Sequence, residues 1–413
     1  MSLAKNIEFL RHLPKLHGLH AWNGVAHGRG LGSPLVELRE FGTNPGNLRM
    51  FRYVPVHLHS PKALVVVLHG CGQTAAAYDL GSGWSTLAKH FGFALLMPEQ
   101  QAANNSNACF NWFKPEDTKR GHGEAYSIRQ MIGRMVSEHR IDKHHVFITG
   151  LSAGGAMTSV MLATYPEVFA AGAIIAGLPY GVATNAREAL SGMFQSHVRP
   201  PKELGDFVRN ASKHRGPWPK ISVWHGSADR TVNPANADEI VKQWLDVHRL
   251  PAAPMLEGIV DGHPRQIWWN ADGETVVESY TITDMAHGTP IGTAENDHRY
   301  GMEGAFLIEA GISSSYHIAN FFGLTGKPQA ATQPARHPTE SPSAKLIPIA
   351  SPITTPMPDL AAILHPLTAA RPVAKQSKKP QSKRRRMIDV SAVITRALTA
   401  AGLMKEKSPT SRR

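Results

Sequence analysis

The chain has 413 residues, 42% of them hydrophobic and 18% charged, with a formal net charge of +12. That size and apolar content suit one large domain or two smaller ones with a substantial core, and no stretch approaches the roughly 20 consecutive apolar residues of a membrane-spanning helix. The charge is uneven: residues 327–413 hold 16 Lys+Arg against four Asp+Glu, whereas residues 1–326 hold 28 of each sign, so the basic character belongs to an appendage and does not mark the rest as a nucleic-acid binder.

Residues 1–31 mix Lys, His, Arg and Gly with short apolar clusters and lack the continuous apolar core of a secretory signal, which argues for the cytoplasm. Residues 1–47 read as an N-terminal arm. An α/β rhythm begins at Leu48. Residues 48–56 predict an edge strand, with Pro55 tolerated near its end. The unbroken apolar run 63–68 (Ala-Leu-Val-Val-Val-Leu) predicts a central parallel strand buried on both faces. A helix over 82–90 leads to a strand over 93–97, stopped by Pro98. Ile128, Met131, Ile132, Met135 and Val136 form the apolar stripe of a helix over 124–139.

The strand 146–149 runs into Gly150-Leu151-Ser152-Ala153-Gly154, and the Ala-, Met- and Leu-rich residues 156–165 beyond predict a helix ended by Pro166. Further strands are expected at 171–176 and 221–224, then a helix over 238–247 with Ile240, Val241, Trp244 and Leu245 on one face. The turn Asn270-Ala271-Asp272-Gly273 separates hairpin strands 266–269 and 275–282. Residues 304–322 read as a closing helix. This alternation predicts an α/β fold over residues 48–325, a mostly parallel central sheet with helices on both faces.

Residues 327–413 hold 12 of the 30 Pro. The segment 326–386 is expected to be a disordered, Pro-rich linker, because it cannot bury enough apolar surface to offset its ordering entropy. It ends in the basic block Lys375 to Arg386. Val390, Val393, Ile394, Ala397, Leu398 and Ala401 then recur at helical spacing behind Asp389, predicting a short amphipathic helix over 387–404 before a basic C-terminus at 405–413. Such a tail suits docking on an anionic membrane, a hydrophobic granule or a nucleic acid. A solvated tail whose helix packs back on the domain is the equal alternative.

A Gly-x-Ser-x-Gly turn between a strand and a helix thrusts its serine hydroxyl to the helix N-terminus, where backbone N–H groups and the dipole favour negative charge. Ser152 is therefore the candidate nucleophile. It needs a base, and the base needs a carboxylate to fix its tautomer. In this architecture the order is nucleophile, acid, histidine. Asp229 follows the strand 221–224 in a Gly-containing loop, and His287 follows the strand 275–282 directly; they are the candidate acid and base. Two backbone donors must face the developing oxyanion. The N–H of Ala153 is one candidate, and the N–H of Cys71, in the loop His69-Gly70-Cys71-Gly72, is the other. Trp112, Phe113 and Tyr180 either line the substrate pocket or pack in the core. The two cysteines, Cys71 and Cys109, are not in metal-ligand spacing and are either bridged or buried thiols, the latter slightly favoured. No metal or cofactor is called for.

With these segments in place, Leu68-His69-Gly70-Cys71-Gly72-Gln73-Thr74, Cys109-Phe110-Asn111-Trp112-Phe113, Gly150 to Gly155, Gly177-Leu178-Pro179-Tyr180-Gly181, Trp224 to Asp229 and Ala286-His287-Gly288 together resemble the polyhydroxybutyrate depolymerase family of esterases. The resemblance spans roughly residues 48–324. It implies an α/β-hydrolase fold, carboxylic-ester hydrolase activity on polyesters or plant-wall esters, and often secretion. It also implies Ser152, Asp229 and His287 as triad, Cys71 and Ala153 as oxyanion donors, and a bridge between Cys71 and Cys109. A serine peptidase on the same architecture, and a non-catalytic granule- or nucleic-acid-associated protein acting through the basic tail, are the competing readings.

Overall fold

The computed structural model describes residues 32–56, 58 and 60–326. The linker, amphipathic helix and basic C-terminus expected beyond Gly326, and residues 1–31 of the arm, lie outside the described residues.

In chain order the strands are β1 (Val36–Leu38), β2 (Arg49–Tyr53), β3 (Leu64–Leu68), β4 (Ala94–Glu99), β5 (Val146–Leu151), β6 (Ala171–Ile175), β7 (Lys220–Gly226), β8 (Leu256–Val260), β9 (His263–Trp269), β10 (Thr275–Ile282), β11 (Thr289–Thr293), β12 (Arg299–Tyr300) and β13 (Leu307–Glu309). The α-helices are α1 (Ala75–Ser82), α2 (Trp84–Phe91), α3 (Pro115–Thr118), α4 (Gly123–His139), α5 (Ala153–Thr164), α6 (Ala186–Gln195), α7 (Pro201–Ala211), α8 (Ala235–His248) and α9 (Ser314–Phe321). Ten strands form one sheet in the order β1-β2-β4-β3-β5-β6-β7-β10-β9-β8, and β12-β11-β13 form a small second sheet. The centre, from β4 through β3, β5, β6 and β7 to β10, is parallel throughout. The flanking pairs are antiparallel.

The apolar run in β3 explains its central place. Successive side chains of a strand point to opposite faces, and here Leu64, Val66 and Leu68 join one core while Val65 and Val67 join the other. The first core takes Ile128, Met131, Ile132 and Met135 of α4 and Ile240, Val241, Trp244 and Leu245 of α8. The second takes Trp84 and Leu87 of α2 and Ile318 and Ala319 of α9. Helix α5 is buried along its whole length. Its two threonine hydroxyls find partners within the helix, Thr158 Oγ1 donating to Gly154 O at 2.9 Å and Thr164 Oγ1 to Val160 O at 2.7 Å, while Ser159 Oγ donates to Leu178 O at 2.8 Å.

Three local features depart from the sequence reading. Strand β2 is not an edge: β1, inside the expected N-terminal arm, pairs outside it. The helix expected over 82–90 is preceded by α1, because Gly83 takes a left-handed φ of 78° and divides the segment, while the Thr74 hydroxyl accepts from Ala77 N–H to start α1. The closing helix is shorter than 304–322. Residues 307–309 pair with β11 instead, and α9 begins only after Gly311 (φ 75°), capped by Ser313, whose hydroxyl accepts from Tyr316 N–H. The parallel strands β3, β5, β6, β7 and β10 all end at one edge of the sheet, which gathers their following loops there.

Candidate active site

Ser152 sits between β5 and α5 with φ 57° and ψ −117°. A non-glycine residue at such angles stores about 1–3 kcal/mol of strain and persists only where its surroundings enforce it. They do so here: Ser152 N–H donates to Ile175 O of β6 at 2.9 Å, and Ala156 N–H takes the Ser152 carbonyl at 2.8 Å. Gly150 and Gly154 make the turn possible. A Cβ on Gly150 would overlap the backbone of Gly154, and a Cβ on Gly154 would overlap Leu68 O and lie 2.5 Å from His69 O. The helix start therefore rests directly on the end of β3.

Asp229 and His287 arrive on the loops after β7 and β10. Those loops are latched together: Ser227 N–H donates to Ile282 O at 2.9 Å, Ala228 N–H to Met285 O at 3.1 Å, and Asp284 N–H to Ser227 Oγ at 2.8 Å. Gly226 allows the approach, since a Cβ there would overlap Met285 O. His287 Nδ1 then lies 2.7 Å from Asp229 Oδ2, and its Nε2 lies 2.9 Å from Ser152 Oγ. Asp229 Oδ1 accepts the N–H groups of Thr231 at 2.8 Å and Val232 at 2.9 Å. All three side chains are buried, Ser152 9% exposed and His287 8%. Burial by itself would raise the Asp229 carboxyl, but hydrogen bonds from His225 and His287 outweigh it and hold the group well below the usual carboxylate range. An ionised Asp229 obliges His287 to carry its proton on Nδ1, leaving Nε2 free to accept the Ser152 hydroxyl proton.

The loop after β3 turns at residues 70–73, where Gln73 N–H donates to Gly70 O at 3.3 Å and Gln73 Oε1 accepts from Gly70 N–H at 2.9 Å. That turn does not use the N–H of Cys71. Nor can α5 use the N–H of Ala153, its first residue, which has no helical carbonyl four positions back. The buried His69 orients the Gly70–Cys71 peptide. Its Nε2 accepts from Gln100 N–H at 3.1 Å, so Nδ1 bears the proton and donates to Gly70 O at 2.7 Å. Burial pushes His69 down to about 4, so it stays neutral and keeps that tautomer. Because the Gly70 carbonyl and the Cys71 N–H share one planar peptide unit, fixing the oxygen aims the N–H the opposite way.

A disulfide joins Cys71 to Cys109, 38 residues further on. The far end is braced by Glu124 at the start of α4. Glu124 Oε1 accepts from Gln100 Nε2 at 2.6 Å and Asn111 Nδ2 at 2.7 Å, and Oε2 from Asn111 N–H at 2.8 Å. Gln100 Nε2 also donates to Cys109 O at 3.1 Å. Burial first, and the nearby Asp117 second, push the Glu124 carboxyl up to about 8. The folded protein thus binds this proton more tightly than the unfolded chain, so the contribution of Glu124 to stability falls as pH rises from about 4.5 to about 8, by up to about 5 kcal/mol. Thermal melts across this window test the point: wild type should lose Tm relative to Glu124→Gln as pH rises from 5 to 8, and parallel curves would remove Glu124 from the pH dependence.

Of the pocket candidates, Trp112 is 8% exposed and packs edge-on against Phe113, with ring centroids 5.5 Å apart. Tyr180 is half-buried in the loop after β6, its N–H and C=O both held by Gln243 of α8 at 3.0 and 2.9 Å. Neither ring hydrogen-bonds to the Ser152–His287–Asp229 group. Sequence reasoning passed over three participants: His225 beside Asp229, His69 behind the Cys71 turn, and Phe306, edge-on to the His287 ring at 5.9 Å. His225 and His69 each stand directly at the end of a parallel strand and before a glycine, a signal available in the sequence. Among the described residues no group of three or more His, Cys, Asp or Glu is placed to hold a metal ion, and no helix is long and apolar enough to cross a membrane.

Comparison with known proteins agrees with this architecture. Residues 52–254 match the sequence model of the family described as Esterase PHB depolymerase. The chain is 48% identical over 293 residues to a poly(3-hydroxyalkanoate) depolymerase C of Paucimonas lemoignei, covering 71% of this chain and 70% of that one. It is 35% identical to an acetylxylan esterase of Coprinopsis cinerea, covering 62% and 69% of the two chains, and 34% identical to a feruloyl esterase B of Neurospora crassa, covering 63% and 90%. Among solved structures, an acetyl xylan esterase from Aspergillus awamori superposes with a TM-score of 0.59 at 26% identity, over 70% of this chain and 99% of that one. The chain therefore belongs to the PHB depolymerase family of esterases, carboxylic ester hydrolases of the α/β-hydrolase fold.

Proposed function

We propose that the chain hydrolyses 3-hydroxyacyl esters, as oligomers or polyester, through an acyl-enzyme on Ser152. The observation that carries this reading is the unbroken line from Asp229 through His287 to Ser152, at 2.7 and 2.9 Å, ending on a strained turn at a helix N-terminus. Ser152 Oγ attacks the ester carbonyl carbon while His287 Nε2 takes its proton. The oxygen that becomes negative is met by the N–H groups of Cys71 and Ala153, which cost no reorganisation because His69 and the helix already aim them. Collapse expels the alcohol, which leaves with the proton from His287. Water, activated by the same nitrogen, then releases the acid from Ser152. Trp112 and Tyr180 are assigned to the walls of the acyl or alcohol pocket.

The substrate class rests on the 48% identity to a poly(3-hydroxyalkanoate) depolymerase, well above the 35% and 34% to the acetylxylan and feruloyl esterases. A substrate panel tests it. Oligomers of 3-hydroxybutyrate and p-nitrophenyl butyrate should be cleaved faster than feruloyl or xylan acetyl esters, and a fluorophosphonate should label the peptide bearing Ser152. Cleavage of peptides without ester turnover would replace the reading with a peptidase, and preference for feruloyl esters would replace the substrate class alone.

A further inference from the structure

Asp229 Oδ2 faces a second imidazole. His225, the penultimate residue of β7, is 3% exposed and places its Nε2 3.2 Å from Asp229 Oδ2 and 3.0 Å from Val232 O. A backbone carbonyl only accepts, and Asp229 is ionised, so the proton must be on His225 Nε2, shared between the two oxygens. Nδ1 on the opposite side of the ring has no hydrogen-bond partner. The ring is therefore held by one edge only, and that edge serves the carboxylate. With the hydrogen bonds from His287 Nδ1 and the N–H groups of Thr231 and Val232, and with His225 Nε2 at 3.2 Å, Asp229 has four donor groups about it, two beside each oxygen. The titratable groups around His225 are Asp229 and His287 on the two latched loops and Asp238 on α8.

We infer that His225 is a positioning residue for ester hydrolysis, a fixed donor that sets both the orientation and the effective basicity of Asp229. The inference rests on the triad reading above. A carboxylate oxygen with one donor can rotate to follow that donor; with two it is held in place, and its lone pair faces His287 Nδ1 at one angle only. The second donor also withdraws negative charge from Oδ2. Less charge beside His287 stabilises its imidazolium less, which keeps the base deprotonated to lower pH.

Two substitutions separate this role from packing. His225→Leu removes the donor at similar volume. His225→Gln returns an N–H the same number of bonds from Cβ. With active sites counted by fluorophosphonate titration, His225→Leu should lower kcat for p-nitrophenyl butyrate about 10–100-fold with KM little changed, and should move the acid limb of kcat/KM upward by about 0.5 pH unit. His225→Gln should restore most of kcat and return the limb. If His225→Leu does not fold, His225→Asn, whose amide is too short to reach Oδ2, takes its place. An unshifted limb, or equal losses in the Leu and Gln variants, would overturn the inference. Activity surviving in Ser152→Ala would instead sink the triad reading beneath it, so the two failures are told apart.

Discussion

Replacing Ser152 with alanine lowers kcat/KM for p-nitrophenyl butyrate by about 10⁴–10⁶-fold and leaves the protein folded. Both halves follow from the geometry. In the mechanism proposed above the nucleophile and its base act as a unit, so the loss of Oγ also makes His287 and Asp229 useless. What survives is binding and the two N–H groups of Cys71 and Ala153, which alone give about 10³–10⁴ over water. The fold is spared because alanine meets the same positive φ of 57° that serine already tolerates, and the deletion removes one hydrogen bond, to His287 Nε2, worth about 1 kcal/mol. Circular dichroism and a melt should therefore match wild type within a few degrees while turnover vanishes and fluorophosphonate no longer attaches. A variant retaining a tenth of the activity would place the nucleophile elsewhere.

Much of this site is legible in the sequence because its chemistry is local. The Gly150–Gly154 turn is written in five consecutive residues, and the strand and helix that strain it lie immediately on either side. Asp229 and His287 are found by chain order alone, since each follows a strand of a sheet whose parallel run is announced by the apolar residues of β3. What the sequence hides is set by contacts between distant segments. The role of His225 depends on the Gly226–Met285 approach, 59 residues apart, which closes one loop on the other. The brace from Glu124 through Gln100 to His69 joins α4, the residue following β4 and the loop after β3, three segments with no shared motif. Strand β1 escapes for a different reason. Three residues at an edge, Val36 itself 61% exposed, carry neither alternation nor an apolar run. The helices α6 and α7 fall in residues 177–219, where Pro, Gly and charged residues mask the period that burial on one side imposes.

The second large effect is expected at Gly154. The contacts that a Cβ would meet there are backbone atoms, Leu68 O and His69 O, which no rotamer change can clear. Gly154→Ala must instead lift α5 from β3, and β3 is held on both sides by β4 and β5. A cost of about 3 kcal/mol or more follows, at the upper end of what overpacking exacts. The displacement also runs through the chemistry. Ala153, whose N–H is one of the two proposed oxyanion donors, adjoins Gly154, and His69 leads into the Cys71 turn proposed to supply the other. Pushing these two backbones apart widens the gap between the donors, and the loss of one donor lowers kcat by about 10²–10³. Gly258→Ala on β8 is the matched control: nothing lies within 4 Å of a Cβ there and its φ is not left-handed, so stability should change by no more than about 0.5 kcal/mol. Urea titrations at constant m, read beside kcat for both variants, decide the matter. Wild-type stability and turnover in Gly154→Ala would mean that α5 does not rest on β3, and with that the placement of the Cys71 donor would lose its support.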